Sequence, residues 1–429
     1  MTYEYKEIID GMTVKAVYVP WLHMHQPLVW HRRKLVGNLK MMLFSKDSNV
    51  RWNAELMARA YKNPAKHIKV LTKRGLKPKI MLDFSGILLE SLKELTKNLK
   101  KTYVDGEKIG DIIKLYKEVL KKYPSSIEFA GTAYSHCYFP VTPERDWKWQ
   151  VEEWRNTFKR LFGNKALKEV KGFWLPEMGI PGQENKLVKL IKTLKDCGYE
   201  WMILPIEAVE GEKEISQEQR IIMTSQPHLL SVKNENIVVV LRARYDFIDQ
   251  QAGCDAEHVY EKCLKAISLF RKKSRKPALV VPASDGENGN VMLNEFFPQT
   301  FIPFFKGKID KKISSLTITE FLREYYDRKI TSSIKLKKVG GSWVGGHEQW
   351  VKGSEREIVS KGIEKTSKRF HGIDPKGLKG SQRKLYEDTK RMLLISETSC
   401  YTYWGTSFWF SQWEKINEIL LKLLKKLYL

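Results

Sequence analysis

Strand-like segments alternate with helical segments over about the first 300 residues of the chain. Helical apolar spacing follows several of the strands, as at Leu187, Leu190, Ile191 and Leu194. Apolar, β-branched runs mark the strands themselves, at residues 14–22, 79–84, 127–131, 171–175, 201–204, 238–241 and 279–281. This alternation predicts an α/β fold with a parallel sheet covered by helices. A barrel is the natural closure, and its chemistry would lie at the carboxyl ends of the strands.

The pattern changes in the last third of the chain. Residues 331–380 are rich in Gly, Lys and Ser with little periodicity, and we expect an extended loop there. From Ser381 to Leu429 the spacing is helical, and the last helix carries an apolar stripe that we expect to pack on the barrel. We therefore predict a barrel domain over residues 1–310 and a loop-containing, mainly helical domain over residues 311–429.

Charge and cysteine usage limit the partners and the compartment. The net charge of +25 would suit a phosphate-rich partner, but the basic residues are spread over the whole chain without a nucleic-acid motif. No apolar run is long enough to span a bilayer, and Met1–Gly11 lacks the apolar core of a signal peptide. The five cysteines include no CxxC pair. We expect a soluble, cytoplasmic protein without nucleic-acid or membrane partners; the sequence does not indicate its oligomeric state.

Two acidic residues, Glu177 and Asp285, each follow a predicted strand. Splitting a bond between two sugars needs one carboxyl group to protonate the departing oxygen and a second to attack the anomeric carbon or activate water. Glu177 and Asp285 could form such a pair at one rim of the sheet. An acid at a strand end can also be a helix cap or a turn residue.

A metal site is the competing interpretation. His23, His25 and His136 also follow predicted strands, and Asp83 lies near the end of one. Several histidines with a carboxylate suit a zinc ion that activates water, as in polysaccharide deacetylases. The same histidines could instead form hydrogen bonds inside a polar pocket, and no compact zinc-binding spacing occurs. We predict neither a metal nor another cofactor. A non-catalytic carbohydrate-binding protein is a third possibility.

Five segments resemble, in order, the conserved regions of one enzyme family. They are His23-Met24-His25-Gln26-Pro27, Glu128 with residues 131–140, residues 172–177, Asp285-Gly286-Glu287 and residues 397–404. Together they are similar to glycoside hydrolase family 57, the archaeal and bacterial α-glucan enzymes. The resemblance implies an incomplete (β/α)7 TIM-like barrel followed by a C-terminal α-helical domain. It also implies a retaining glycosidase of the α-amylase or 4-α-glucanotransferase type, acting on an oligo- or polysaccharide.

The resemblance also assigns roles to individual residues. Glu177 matches the nucleophile and Asp285 the general acid/base, while His25 and His136 match residues that hold substrate hydroxyls. Trp404 matches an aromatic residue that borders the site.

We further expect His23, Gln26, Trp174 and Glu287 among the substrate contacts. The second region has Cys137 where Pro is common, and residues 289–296 differ from the segment expected after the fourth region. These departures leave the substrate open, and with it the choice between hydrolysis and transfer.

Overall fold

The computed structural model describes residues 14–242, 255–288, 291–327 and 329–428. Met1–Gly11, Cys254, Gly289 and Asn290 therefore lie outside the described residues. The strands are β1 (Ala16–Tyr18), β2 (Trp21–Met24), β3 (Leu28–His31), β4 (Lys34–Gly37), β5 (Ile80–Phe84), β6 (Tyr103–Val104), β7 (Glu107–Lys108), β8 (Ile127–Phe129), β9 (Gly172–Trp174), β10 (Ile180–Pro181), β11 (Trp201–Leu204), β12 (His228–Val232), β13 (Glu235–Leu241), β14 (Ala278–Val280), β15 (Ala283–Asp285), β16 (Ile313–Ser314), β17 (Ser333–Ile334) and β18 (Gly340–Gly341).

The helices alternate with these strands, as the sequence predicts. They are α1 (Asn38–Leu43), α2 (Ser48–Lys73), α3 (Gly86–Glu94), α4 (Thr96–Leu99), α5 (Ile112–Lys122), α6 (Trp147–Phe162), α7 (Asn164–Lys168), α8 (Glu184–Asp196), α9 (Gln217–Thr224), α10 (Ala256–Phe270), α11 (Ile302–Gly307), α12 (Ile318–Tyr326), α13 (Glu348–Val351), α14 (Ser354–His371), α15 (Gly380–Ser396), α16 (Cys400–Tyr403) and α17 (Ser407–Leu427). A π-helix spans Met292–Phe301. None of these helices is long and apolar enough to cross a membrane.

Parallel strands form the centre of the molecule. Neighbouring strands follow the order β13, β11, β9, β8, β5, β2 and β15. A single bridge between Gly131 and Phe173 joins β9 to the end of β8. β1 precedes β2 across Pro20 and pairs with β14, which precedes β15 across Pro282. The predicted α/β fold is confirmed, and every predicted strand position holds a strand.

The two end strands of this series, β13 and β15, approach each other. Among the described residues they form no backbone hydrogen-bond pairing with each other. Arg242 follows β13, and its Nε donates a hydrogen bond of 3.0 Å to the carbonyl oxygen of Ala283 in β15. A side chain thus connects the end strands. Closure into an incomplete (β/α)7 barrel stays a prediction.

Alternation along the strands divides their apolar residues between an outer and an inner face. The outer face packs under the helices, mostly in the larger cluster and, for β1 and β14, in a smaller cluster with α10. The other face forms an inner cluster to which β1, β2, β5, β11 and β14 contribute, with Val17, Val19, Trp21, Met81, Trp201, Ile203 and Leu279 among its members. Ile318, Phe321 and Leu322 of α12 belong to the inner cluster. Trp201, the first residue of β11, donates a hydrogen bond of 3.1 Å from Nε1 to Thr319 Oγ1, so α12 lies beside the amino ends of the strands.

The C-terminal helices form a separate small core of Phe370, Tyr386, Leu393, Leu420 and Leu424, in which the apolar stripe of the last helix packs against its helical neighbours. Packing of the last helix on the barrel stays a prediction. The extended loop predicted for residues 331–380 is wrong where α13 and α14 lie. The residues that α14 buries include Thr366 and Ser367 between Ile363 and Phe370, so the apolar stripe by which a helix is recognised is interrupted in its sequence. The boundary at residue 310 stays a prediction, although β16 already pairs with β1.

Candidate active site

Glu177 lies directly after β9, in the short 3-10 turn Pro176–Met178. Its φ of 58° and that of Met178, 49°, are in the left-handed region that non-glycine residues rarely adopt. Glu177 is only 5% exposed. Its Oε1 accepts a hydrogen bond of 2.9 Å from Ser399 Oγ, and His136 Nδ1 lies 3.7 Å away. Such a locally strained conformation is typical of functional sites.

Opposing effects act on the acidity of Glu177. Burial raises the pKa of its carboxyl group to about 7, and the charge of Asp285 contributes to the rise. Hydrogen bonds from the Ser399 and Trp343 side chains lower the pKa, as does the charge of His23. Because desolvation disfavours the carboxylate while donors favour it, Glu177 is poised between its two protonation states near neutral pH.

Asp285 ends β15 and stands in register with His23 of β2, which is in register with Asp83 of β5. Residues in register on parallel strands point to the same face of a sheet. Two residues earlier, the same three strands place Ala283, Trp21 and Met81 in the inner apolar cluster. The inner face therefore changes from apolar to charged at the carboxyl ends of these strands.

Glu287 adds a third carboxyl group to this rim. Its Oε2 accepts a hydrogen bond of 2.5 Å from the backbone N–H of His25. Burial raises the pKa of Glu287 well above its ordinary value, and the charges of Asp285 and Glu177 raise it further. The rim is therefore crowded with acidic groups that oppose one another's ionisation.

The structure brings the predicted histidines together in this acidic pocket. His23 Nδ1 lies 2.6 Å from Asp83 Oδ2, and His23 Nε2 lies 2.8 Å from His136 Nε2. Burial lowers the pKa of His23, but the charge and hydrogen bond of Asp83 outweigh it and the net pKa is about 9. Burial holds the pKa values of His25 and His136 well below the ordinary range. One buried imidazolium among neutral imidazoles is the result.

The other predicted contacts differ in how open they are to a ligand. Trp174 is fully buried, and its ring stacks on His23 with centroids 5.0 Å apart. Gln26 is buried as well, and its Oε1 accepts a hydrogen bond of 2.8 Å from Asn38 Nδ2. Trp404, by contrast, is 56% exposed. Substrate contact stays a prediction for all three, and Trp404 has the ring surface that a sugar could reach.

Sequence reasoning missed two residues beside Glu177, Ser399 and Trp343. The backbone N–H of Trp343 donates a hydrogen bond of 3.2 Å to the carbonyl oxygen of Glu177. β18 carries Trp343 there, because it pairs with β10 just after the Glu177 turn. The sequence signal for this close approach is the glycine pair Gly340-Gly341. A side chain at Gly340, where φ is 80°, would collide with the Ile180 carbonyl oxygen.

A possible metal-binding group among the described residues comprises His25, His136 and Cys400, whose ligand atoms lie within 4.8 Å of one another. The two imidazole rings stack with centroids 4.1 Å apart and planes 7° from parallel. Ring-nitrogen lone pairs lie in the ring plane, so those of stacked rings run side by side and do not converge. Both His136 nitrogens are also engaged, by His23 and Ser399. The arrangement does not fit a zinc site.

Paired carboxyl groups at the carboxyl ends of parallel strands are typical of enzymes that act on glycosidic bonds. The model of glycosyl hydrolase family 57 matches residues 19–337. The chain therefore belongs to glycosyl hydrolase family 57 and is a glycoside-hydrolysing or glycosyl-transferring enzyme.

Solved structures share the fold over nearly the whole chain. The GH57-type branching enzyme from Pyrococcus horikoshii is similar with a TM-score of 0.67 and 17% identity, covering 95% of this chain and 88% of that one. The 4-α-glucanotransferase from Thermococcus litoralis has a TM-score of 0.60 and 15% identity, covering 97% and 60%. The α-amylase AmyC from Thermotoga maritima has a TM-score of 0.60 and 13% identity, covering 97% and 94%. No curated protein matches the chain.

Proposed function

We propose that the protein is a retaining glycosidase or glycosyltransferring enzyme that acts on α-glucans through a covalent intermediate. The observation that carries the proposal is the placement of Glu177 after β9 and Asp285 at the end of β15, close enough for the charge of Asp285 to raise the pKa of Glu177. The α-glucan substrate is inferred from the family and from the glucanotransferase and α-amylase named among the similar structures.

In the first step Asp285 donates a proton to the glycosidic oxygen while a carboxylate oxygen of Glu177 attacks the anomeric carbon. The bond to the leaving sugar breaks and an ester to Glu177 forms. In the second step Asp285 takes a proton from water or from a sugar hydroxyl, whose oxygen displaces Glu177 from the anomeric carbon. Two inversions give net retention. Hydrolysis and transfer share both carboxyl groups and differ only in the acceptor.

Substitution of each carboxyl group tests these roles. Glu177→Gln removes the nucleophile without changing its size, so turnover should fall by several orders of magnitude while sugar binding is kept. Asp285→Asn should cost about 100- to 10,000-fold, and less on substrates with good leaving groups. Glu184→Gln, an exposed acid at the start of α8, is the matched control. Unchanged activity of the Glu177 variant would remove the covalent mechanism.

The products identify the reaction more closely. With Glu177→Gly and added azide, azide should occupy the vacated face and give a glycosyl azide of the opposite anomeric configuration to the substrate, which marks Glu177 as the nucleophile. Incubation of the wild-type protein with maltooligosaccharides, starch or pullulan should then separate two outcomes. Products both longer and shorter than the substrate mean transfer, and shorter products alone mean hydrolysis.

A further inference from the structure

An unbroken series of hydrogen bonds connects the buried carboxylate of Asp83 to Glu177. Asp83 Oδ2 lies 2.6 Å from His23 Nδ1, and His23 Nε2 lies 2.8 Å from His136 Nε2. His136 Nδ1 lies 2.8 Å from Ser399 Oγ, which lies 2.9 Å from Glu177 Oε1. All five side chains are buried. Four contacts at hydrogen-bonding distance therefore connect Asp83 to the proposed nucleophile.

Each contact needs one proton, and this requirement fixes the direction of the series. When Glu177 is a carboxylate it accepts the Ser399 proton, so Ser399 Oγ must accept from His136 Nδ1–H. Neutral His136 then has a free lone pair on Nε2, which must accept from His23 Nε2–H. Since His23 Nδ1–H also points at Asp83, His23 is doubly protonated. When Glu177 is protonated, every bond between Glu177 and His23 Nε2 reverses and His23 is neutral.

We propose that Asp83, His23, His136 and Ser399 form a proton relay that holds on His23 the proton that Glu177 would otherwise carry. The inference rests on the proposed role of Glu177 as nucleophile. One proton is transferred in total: Glu177 gives a proton to Ser399, Ser399 gives its own to His136 Nδ1, and His136 gives its Nε2 proton to His23. The four residues are positioning residues, since they act through Glu177.

The acidic surroundings explain why such a relay is needed. A nucleophile must be ionised, yet burial and the neighbouring Asp285 favour a neutral Glu177. His23, with a pKa of about 9 against about 7 for Glu177, is the stronger base of the two. Asp83 supports the imidazolium, and its other oxygen accepts a hydrogen bond of 2.7 Å from Trp21 Nε1. The relay thus places the positive charge on His23 and leaves Glu177 as the carboxylate that the attack requires.

Other titratable groups also influence Glu177. They are Asp285 and Glu287 around the end of β15, Tyr138 after β8, and Cys400 and Tyr403 on α16. Burial raises the pKa values of the thiol and of both phenols, so these groups stay neutral where Glu177 titrates. The two carboxyl groups remain as sources of pH dependence, and the test must separate them from Glu177.

The pH profile of kcat/KM for Ser399→Ala provides that separation, because Ser399 donates directly to Glu177. Loss of a hydrogen bond to a charged group should move the acidic limb of the profile up by about 1 to 2 pH units. The alkaline limb should stay in place, since Glu177 is ionised there in both proteins. Ser399→Thr, which keeps the hydroxyl, should restore the wild-type acidic limb. A loss that is uniform across pH would mean that Ser399 only packs, and would overturn the relay.

Asp83→Asn tests the far end of the series in the same assay. The amide cannot stabilise an imidazolium, so the acidic limb should again move up although position 83 is remote from Glu177 along the series. An unchanged limb in this variant contradicts the relay even if Ser399→Ala shifts it. Glu177→Gln is run in parallel: if it stays active, the nucleophile assignment fails, whereas an inactive Glu177 variant with unmoved limbs in the other two refutes the relay alone.

Discussion

Glu128 belongs to the second of the motifs that resemble the family, yet it lies near the amino ends of the strands. It is paired in register with Met81 of the inner cluster and is 8% exposed. Its Oε1 accepts a hydrogen bond of 2.6 Å from Thr319 Oγ1, and its Oε2 accepts one of 3.1 Å from the Thr319 backbone N–H. Glu128 therefore ties β8 to the first turn of α12, and we expect it to govern stability.

Burial raises the pKa of Glu128 from 4.5 to about 7, against the opposing effect of its hydrogen bonds. At 1.36 kcal/mol per pKa unit, this rise corresponds to about 3 kcal/mol. Because the folded protein holds the proton more tightly than the unfolded chain, this stability is present below pH 4.5 and is lost as the pH rises through about 7. Glu128→Gln carries a neutral amide at every pH and does not incur this loss.

The variant should therefore match the wild-type protein near pH 4.5 and be more stable by about 3 kcal/mol at pH 8. Urea unfolding at both pH values, followed by circular dichroism, measures the difference. Glu324→Gln, an exposed acid on the same helix α12, is the control and should show no such change with pH. A Glu128→Gln difference that is constant with pH, or a variant that is less stable at pH 8, would refute the argument.

Three further predictions concern the active site. Trp343→Phe keeps a ring but removes the indole donor to Glu177, so kcat should fall about 10- to 100-fold in steady-state assays, nearly as far as in Trp343→Ala. Gly340→Ala should lower the free energy of unfolding, measured by thermal unfolding, by about 1 to 2 kcal/mol because of the left-handed φ alone. The collision of the new side chain with Ile180 should lower it further. Gly345→Ala, also at positive φ but facing open space, should show only the first cost. Exhaustive chelation should leave kcat unchanged in a metal-analysed preparation, and a loss that zinc restores would reinstate the metal-dependent alternative.

Local sequence patterns were sufficient for most of the sheet. Short apolar runs followed by polar residues predict both where a buried strand ends and which side chains reach the rim, and Asp285, His23 and Asp83 lie there in register. Strand periodicity thus located most of the polar groups before any contact was known. It did not place Glu128, because an acid in the middle of a strand can belong to either end of the inner face.

Contacts between distant segments were beyond the sequence. Ser399 is 222 residues from Glu177 along the chain, and its hydroxyl has no pattern that distinguishes it from any other serine. Helix α14 is not predicted for a related reason. It buries the polar side chains of Thr366 and Ser367, which interrupt the apolar pattern that would indicate a helix. In both cases the role of the side chain depends on the residues that it contacts, and only the tertiary fold brings those residues close to it.

The metal interpretation of this rim used the histidines and Asp83, whereas the carboxylate interpretation used Glu177 and Asp285. Both sets of residues follow or end strands of one sheet, so residue type alone could not decide between them. The direction of the hydrogen bonds distinguishes between the two interpretations. A histidine that donates from both nitrogens has no lone pair for a metal, and the short contacts of His23 with Asp83 and His136 give it that state when Glu177 is ionised. Asp83, the carboxylate that would complete a zinc site, already balances this imidazolium. The positive charge that lowers the pKa of Glu177 therefore comes from a protonated histidine of the pocket itself.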